Sequence, residues 1–383
     1  MRKLLLLVGA VVFTDTMFFA ALTPLLPEYA DRLDLSKAEA GLLASAYAAG
    51  ALVGALPGGV AAARLGVKPT VLLGLAGMAV TTFTFGIADV YPVLVGARFL
   101  QGLASAFTWT AGLSWLVAAA PPGRRGELIG SAMAAAIGGA LLGPVVGGAA
   151  SVVGTGWAFG SVAVLAALLA AWALATPAFP PRPPQPLRLL GGALRDAGVL
   201  VSVWFVLLPA LLFGVLGVLA PLRLDELGFG AIAIGATFLT AAAIEAGLSP
   251  VLGRLSDRRG RLLPLRAGVL ASIAVTALIP WLGHAWLLAC FVVLAGMSFG
   301  AFWAPALSLL ADRAEARGLD YAYGFALMNL AWAPGAAAGA AFGGGVADAT
   351  ADWVPYLALA AACTGTAVVI SRLAVAPAAR PAR

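Results

Sequence analysis

Long apolar runs, separated by short polar segments, make up most of the chain. Each run has close to the about 20 residues that an α-helix needs to cross a bilayer. The pattern therefore predicts an all-α integral membrane protein with twelve transmembrane helices. The predicted spans are 4–27, 39–63, 70–88, 92–120, 128–151, 157–175, 200–220, 231–253, 264–282, 286–311, 321–346 and 354–371.

The composition agrees with this prediction. Hydrophobic residues make up 62% of the chain and charged residues 10%, against roughly 45 to 50% and 25% in an ordinary soluble domain. The opening segment MRKLLLLVGAVVF is similar to a secretory signal. Its apolar run continues past the about 7 to 15 residues of a signal and contains Asp15, so we expect a retained first helix.

The basic residues are distributed unevenly over the polar segments. With a cytoplasmic N-terminus, 19 of the 23 Lys and Arg residues lie in cytoplasmic segments, and only Arg32, Lys37 and Arg223 lie in outer loops. Basic residues accumulate on the cytoplasmic side of membrane proteins. Both termini are therefore predicted in the cytoplasm, and the Ala-rich, Arg-over-Lys composition favours a bacterial cytoplasmic (inner) membrane. The net charge of +6 follows from topology, so no nucleic-acid partner is expected.

A Pro-rich polar segment divides the chain into two halves. We predict an N-terminal six-helix bundle at 1–175, a cytoplasmic linker at 176–199 and a C-terminal six-helix bundle with a short tail at 200–383. Since each half supplies the packing partner of the other, a monomer is expected.

The two halves are similar in sequence. A shift of 194 residues places Gly102 on Gly296 and Trp109 on Trp303, and a shift of 196 aligns the glycines of the fifth and eleventh spans. An even number of spans in each half makes the repeat parallel, with its axis along the membrane normal. This arrangement is typical of transporters that move two bundles around a central site.

Three motifs resemble the major facilitator superfamily, and within it the drug:proton antiporter branches. The fourth span contains RFLQG, the loop after the eighth span reads GRLSDRRGR, and the fifth span carries a spaced Gly and Pro pattern. The resemblance covers essentially the whole chain and implies a proton-coupled exporter. The motif residues are Arg98, Gln101 and Gly102; Gly253, Asp257, Arg258, Gly260 and Arg261; and Gly139, Gly143, Pro144, Gly147 and Gly148.

The Gly-rich stretch of the fifth span predicts close helix packing. Small residues four apart, such as Gly139 and Gly143, give a flat face on which another helix can lie. Neighbouring helices in a bundle tolerate a proline such as Pro144. We interpret the stretch as a packing surface and bend at the boundary between the halves, with static small-residue packing as the alternative.

Two acidic residues fall inside predicted spans. Asp15 lies mid-span in the first helix and Glu245 lies near the midplane in the eighth. A carboxylate there is costly unless it is paired or protonated, so both are candidates for proton coupling or for binding a cationic substrate. The first helix is also similar to that of vesicular amine transporters, which implies amine recognition or proton coupling by Asp15. A local hydrogen bond to Asp15, or a pairing of Glu245 with Arg98, is the structural alternative.

Arg98 lies closer to the outer membrane face than Asp15. The vertical offset is about 8 Å at 1.5 Å per residue, which a long guanidinium can partly bridge. The resemblance implies that Arg98 modulates the protonation of a nearby acid. An ion pair or hydrogen-bond hub without a transport role is the alternative.

Asp257 lies in a cytoplasmic turn, away from any substrate. The resemblance implies that it packs against the start of a helix of the other half, which suits a carboxylate at a helix N-terminus. We expect that contact near Leu128, with Glu127 available to Arg258 or Arg259, as a latch for the outward-open state. The copy in the first half departs from the motif because Ala63 replaces the Asp.

Aromatic and polar residues inside the spans are candidates for lining a largely apolar substrate cavity. Packing without contact to substrate is the alternative for each. The single histidine, His284, excludes a His cluster, and no G-x-x-x-x-G-K-[ST] loop is present, so neither a metal nor a cofactor is expected. The cavity candidates are Tyr47, Phe107, Trp109, Trp303, Met328, Asn329 and Trp332.

These features predict a secondary transporter rather than an enzyme. The predicted activity is proton-coupled efflux of small lipophilic compounds, neutral or cationic, by alternating access. A carrier of a nutrient or metabolite, such as a sugar or organic acid, is the main alternative. A membrane enzyme is disfavoured because the chain offers no cluster of acidic metal ligands and no His-centred site, and a receptor descended from transporters is a further alternative.

Overall fold

The computed structural model describes residues 2–120, 125–178, 185–259, 262–319 and 321–375. Helices account for nearly all of these residues, and the described part of the chain contains no strand. The helices are α1 (Arg2–Ala21), α2 (Leu26–Leu33), α3 (Lys37–Arg64), α4 (Val67–Ile87), α5 (Tyr91–Ala119), α6 (Arg125–Val153), α7 (Thr155–Ala175), α8 (Leu187–Ala193), α9 (Ala197–Glu226), α10 (Ala231–Arg259), α11 (Leu262–Leu278), α12 (Ala285–Gly300), α13 (Trp303–Ala316), α14 (Tyr321–Ala349) and α15 (Trp353–Val375).

Within the described ranges, twelve spans are long and apolar enough to cross a membrane, as predicted. Two of them are interrupted. The first runs from α1 through a 3₁₀ turn at Thr23–Leu25 into α2, where Pro24 and Pro27 lie. The tenth is split between α12 and α13 at 301–302, which the sequence did not predict. Both Gly-rich runs are continuous helices, and neighbouring helices pack against their glycine faces.

In both six-helix bundles, a glycine of one helix packs directly against the backbone of another. In the first bundle, a Cβ at Gly139 of α6 would lie 2.1 Å from the Phe13 carbonyl oxygen of α1. In the second, a Cβ at Gly335 of α14 would lie 2.4 Å from the Leu207 carbonyl oxygen of α9. Phe13 and Leu207 are 194 positions apart. The backbone therefore repeats the internal symmetry of the sequence, with α6 against α1 and α14 against α9.

The glycine face of α6 has a different partner from the one expected. Cβ atoms at Gly139, Gly143 and Gly147 would lie 2.1, 2.6 and 2.2 Å from backbone oxygens of α1, a helix of the same half. The expectation that this face forms the boundary between the halves was wrong for these three residues. Their four-residue spacing keeps them on one face, and that face meets α1.

A neighbouring face of α6 meets the second half instead. The Pro144 carbonyl oxygen would lie 2.8 Å from a Cβ at Gly235 of α10, and a Cβ at Gly148 would lie 3.6 Å from the Ala231 carbonyl oxygen. The other main contact between the halves joins α3 to α14, where a Cβ at Gly41 would lie 2.6 Å from the Ala340 carbonyl oxygen. All these contacts lie where α3 and α10 begin. We call this the closed end.

The halves separate toward the opposite end of the bundle. Gly59 lies five helical turns from Gly41 on the same face of α3, and Gly130 lies five turns from Gly148 on the same face of α6. Among the described residues, no atom lies within 4 Å of a Cβ placed at Gly59 or Gly130. We call this the open end, and it is where α1 begins.

Ion pairs join the halves at the closed end. The Lys37 ammonium, at the start of α3, lies 2.7 Å from Asp352 Oδ1 and 3.7 Å from Glu226 Oε1. Ser36 fixes this start, because its hydroxyl accepts from the Glu39 N–H and its own N–H donates to the Glu39 carboxylate. This reciprocal cap holds Lys37 opposite the second half.

Candidate functional site

Asp15 is buried in the middle of α1, with 2% of the residue exposed. Three side chains donate to its Oδ2 atom: the Tyr47 hydroxyl at 2.9 Å, the Ser105 hydroxyl at 2.7 Å and the Trp109 indole N–H at 2.7 Å. The other carboxyl oxygen, Oδ1, is buried and has no hydrogen-bond partner. One oxygen is therefore saturated with neutral donors while the other keeps its full capacity to accept or to carry a proton.

Glycines on α3 and α5 bring these donors together. A Cβ at Gly102 would lie 1.8 Å from the Tyr47 carbonyl oxygen, and a Cβ at Gly50 would lie 1.8 Å from the Phe99 carbonyl oxygen. The two backbones are therefore in direct contact, which only residues without side chains allow. Tyr47 of α3 and Ser105 of α5 reach the same carboxyl oxygen as a consequence.

Arg98 is buried on α5, seven positions before Ser105, and 1% of the residue is exposed. Its Nη1 donates to Gln101 Oε1 at 2.9 Å and its Nη2 donates to the Phe19 carbonyl oxygen at 3.3 Å. Gln101 is held in turn, since its amide donates to Thr82 Oγ1 at 3.1 Å. The motif residues Arg98 and Gln101 thus form one hydrogen-bonded unit that joins α5 to α1 and α4.

Aromatic rings surround the Arg98 guanidinium. Its Cζ lies 5.1 Å from the centroid of the Tyr47 ring, and three phenylalanine rings lie 5.7 to 6.0 Å away. Within the described residues no ion pair joins Arg98 to Asp15. The expected bridge between these two residues is therefore made by Tyr47, whose ring faces Arg98 and whose hydroxyl meets Asp15. The other three rings are those of Phe18, Phe19 and Phe85.

Glu245 occupies a different place in the second half. It is partly buried on α10 and packs against α12, where a Cβ at Gly300 would lie 2.4 Å from the Glu245 Cγ. In the described part of the chain, Glu245 has neither a hydrogen bond nor an ion pair. The structure therefore does not pair Glu245 with Arg98, and it lies beside the break between α12 and α13.

The family model of the Major Facilitator Superfamily matches residues 8–336 of this chain. The chain belongs to this superfamily. Its members are membrane transporters of small molecules, so the protein is a multi-pass membrane transporter and not an enzyme.

Relatives of this major facilitator include resistance proteins. The chloramphenicol resistance protein of Streptomyces lividans is 32% identical over 328 residues, which are 81% of this chain and 73% of that relative. The MFS-type transporter ppzB of Metarhizium rileyi is 36% identical over 142 residues, which are 36% of this chain but only 29% of the fungal protein. The tetracenomycin C resistance and export protein of Streptomyces glaucescens is 30% identical over 182 residues, 46% of this chain and 34% of that protein.

Solved structures show the same major facilitator fold. A bacterial homolog of the human lysosomal transporter Spinster, in an inward-facing and occupied conformation, matches 99% of this chain and 98% of its own with a TM-score of 0.79. The D-xylose-proton symporter matches 96% of each chain with a TM-score of 0.72. Both are 16% identical to this chain, so they establish the fold alone.

Four of the seven predicted cavity residues make contacts that divide them into two groups. Tyr47 and Trp109 donate hydrogen bonds to Asp15. Trp332 of α14 meets the Phe19 ring edge to face, with the ring centroids 5.6 Å apart, across the boundary between the halves. Trp303 instead stacks on Phe213 at 6.3 Å within the second half. The remaining candidates, Phe107, Met328 and Asn329, are partly buried.

Sequence reasoning missed Ser105 and Phe19 as site residues. A signal for Ser105 exists, because residues 98, 101, 105 and 109 recur at helical spacing and share one face of α5. No comparable signal marks Phe19, whose backbone oxygen binds Arg98 and whose ring lies 4.8 Å from that of Tyr47.

The loop motif of the major facilitator superfamily lies largely outside the described residues. Gly260 and Arg261 are not described, nor are the side chains of Asp257 and Glu127, so the predicted latch near Leu128 remains a prediction. Arg258 is described and exposed.

Proposed function

We propose that this transporter exports small lipophilic, cationic compounds in exchange for protons, by alternating access. The observation that carries the proposal is the Asp15 site. A carboxylate buried in the middle of a membrane span, with three neutral donors and no paired cation in the described structure, is poised to bind one positive charge. Resistance to chloramphenicol and to tetracenomycin C, named for two relatives, agrees with efflux.

Competition for one carboxyl group supplies the coupling. A proton and a cationic substrate each neutralise Asp15, and the two cannot do so together. Binding of one therefore releases the other, which is the physical basis of antiport. Glu245 is the second candidate because it is the other acid that sequence reasoning placed inside a span, and it lies beside the α12–α13 break. Arg98 tunes the site without binding the acid directly.

We also propose an orientation and a cellular location. Arg2, Lys3, Arg64 and Lys68 lie at the open end with most of the other basic residues, while Lys37 lies at the closed end. The positive-inside rule then places the open end and both termini in the cytoplasm of a bacterial cell, around its inner membrane. In this orientation the described arrangement opens toward the cytoplasm, and the halves at 1–175 and 200–383 rock about the Asp15 site in a monomeric protein.

Proton flux in proteoliposomes tests this function. Vesicles holding a pH dye would be challenged with lipophilic amines and with neutral drugs, using the wild type, Asp15→Asn and Glu245→Gln. Asp89→Asn is the matched control, since this carboxylate is 79% exposed and lies at the closed end. We expect proton flux driven by an amine in the wild type and the control, and its loss in one or both of the other variants.

The opposite result identifies the alternative carrier. If no amine moves protons in the wild type, while counterflow of a neutral or anionic solute persists in Asp15→Asn and Glu245→Gln, proton-coupled efflux is rejected. A carrier of a nutrient or metabolite then becomes the function to test.

A further inference from the structure

Tyr47 is the contact between the buried cation and the buried acid. Its ring centroid lies 5.1 Å from Arg98 Cζ, and its hydroxyl lies 2.9 Å from Asp15 Oδ2. We propose that Tyr47 is a positioning residue through which Arg98 acts on Asp15, and that its hydroxyl changes hydrogen-bond acceptor when Asp15 gains a proton. The proposal rests on the proposed function only in taking Asp15 as the proton-binding group.

Arg98 donates no hydrogen bond to Asp15 in the described structure. Its two terminal nitrogens are engaged, one with Gln101 and one with the Phe19 carbonyl oxygen, and its Nε is buried without a partner. The four surrounding rings fill the space around the guanidinium. A cation over the face of a phenol ring is attracted to the ring and makes its hydroxyl a stronger donor. Beside its through-space effect, the charge of Arg98 therefore has a route to Asp15 through the ring and hydroxyl of Tyr47, which contacts both groups.

The position of the Tyr47 ring is fixed by packing. Tyr47 is 3% exposed, and its carbonyl oxygen lies against Gly102. On its other side the ring meets that of Phe19 at 4.8 Å. The backbone contact fixes the start of the side chain and the burial of the ring holds the rest, so the hydroxyl hydrogen is the part of Tyr47 that can rotate.

That hydrogen has two acceptors within reach. The Tyr47 oxygen lies 2.9 Å from Asp15 Oδ2 and 2.7 Å from Ser105 Oγ. With Asp15 ionised, the Tyr47 hydroxyl donates to Oδ2. When Oδ1 takes a proton, Oδ2 becomes a neutral carbonyl oxygen and a weaker acceptor, and the Tyr47 hydroxyl rotates to donate to Ser105. The only bond formed is the O–H bond of Asp15, so no co-reactant is needed.

The groups that act on Asp15 are few among the described residues. From α3 the titratable group is Tyr47, and from α5 the charged group is Arg98, with Ser105 and Trp109 as neutral donors. In the described part of α6 and in α7, the side chains that pack against α1 are apolar or carry hydroxyls. The dependence of transport on pH is therefore assigned to Asp15 and the two residues linked to it.

A double-mutant cycle tests the proposal. Tyr47→Phe keeps the ring under Arg98 and removes the hydroxyl, while Arg98→Gln removes the charge. Because each change weakens the donor to an ionised carboxylate, we expect each to move the midpoint of the transport pH profile upward, by about one pH unit for Tyr47→Phe. If Arg98 acts through Tyr47, adding Arg98→Gln to Tyr47→Phe produces less than a third of the shift that it produces alone.

The matched control is Tyr91→Phe, which removes a hydroxyl that donates to the Glu39 carbonyl oxygen at 2.9 Å near the closed end. It should leave the midpoint unchanged. An Arg98→Gln shift of equal size with and without the Tyr47 hydroxyl would overturn the proposal, since Arg98 would then act directly through space. If Arg98→Gln does not fold, Arg98→Met takes its place in the cycle, since it also removes the charge and keeps an unbranched side chain.

A second readout separates this proposal from the proposed function. The infrared C=O stretch of protonated Asp15, identified as the band that Asp15→Asn removes, reports the titration without any transport. Tyr47→Phe should move the titration of this band to higher pH even in a protein that couples no proton to its substrate. If the band titrates identically in Tyr47→Phe and the wild type, the proposal fails whatever the transport assay shows.

Discussion

The two halves of the protein share a backbone and differ in chemistry. In the first half, Asp15, Tyr47 and Ser105 form one hydrogen-bonded cluster. At the positions 194 residues later the second half has Pro209, Ala241 and Phe299. Arg98 corresponds to Val292, and Trp109 to Trp303. Only the last of these pairs keeps its residue type.

The comparison separates what holds the fold from what forms the site. The glycine contacts of α1 with α6 and of α9 with α14 recur because both bundles need close backbone packing in lipid. The polar cluster does not recur, and Glu245 has no acidic counterpart, since the matching residue is Ala51. Each half therefore contributes one candidate acid from a different helix, and the symmetry of the backbone does not extend to the site.

The largest effect of a substitution is expected at Gly102, whose contact with a neighbouring helix is closer than that of the matching Gly296. A Cβ at Gly102 would lie 1.8 Å from a backbone oxygen of α3, whereas a Cβ at the matching Gly296 would lie 3.0 Å from the Ala241 Cβ. Gly102→Ala must push two backbones apart, at a cost of about 3 kcal/mol. We expect Gly102→Ala to lower the unfolding temperature in detergent by several degrees and to abolish transport.

Gly296→Ala is the matched control for this change. It adds the same methyl group at the equivalent place, where side chains can adjust by a few tenths of an ångström, and should retain most of the stability and transport of the wild type. Equal losses in the two variants would show that the tight contact of α3 with α5 is not specific to the half that carries Asp15.

A smaller effect is expected from the paired tryptophans. Trp109→Phe removes one of three donors to Asp15, while Trp303→Phe removes an indole that stacks on Phe213 and donates no hydrogen bond within the described structure. Since a hydrogen bond to a charged group contributes about 1.5 to 3 kcal/mol, Trp109→Phe should reduce amine-driven proton flux roughly tenfold. Trp303→Phe should change it less than twofold. Similar losses in the two variants, measured in the same vesicles, would mean that both halves contribute equally to the site.

Much of the fold was predictable from the sequence because a bilayer allows few solutions. Backbone groups in lipid must pair within a helix, so apolar runs of sufficient length specify spans directly. The break at 301–302 precedes Pro305, which has no N–H to donate to the Ala301 carbonyl oxygen. Hydropathy does not detect it, because the chain stays apolar on both sides of the break. The partner of Gly139, Gly143 and Gly147 also escaped, since spacing identifies a packing face but not the helix that covers it.

The site was predictable in part. Asp15 and Arg98 stand out because charged residues inside spans are rare, and Trp109 stands out through the repeat. The role of Tyr47 between them depends on α3 and α5 touching at Gly50 and Gly102, which is a matter of tertiary packing. Periodicity alone therefore gives no reason to place Tyr47 against the acid rather than in the cavity.

The smallest effect is expected at the ion pairs that close one end of the bundle. Lys37 bonds Asp352 across the halves, but the two side chains are 31% and 35% exposed, and such pairs contribute about 1 kcal/mol or less. Lys37→Ala should increase the population that is open at this end by at most about fivefold. Spin labels at Asp34 and Thr350, exposed on opposite halves, would show a larger fraction of long distances. Combining Lys37→Asp with Asp352→Lys keeps a pair of opposite charges there and should return the distances toward those of the wild type. An unchanged distribution in Lys37→Ala would mean that the contact of Gly41 with Ala340 holds the closed end without the charges.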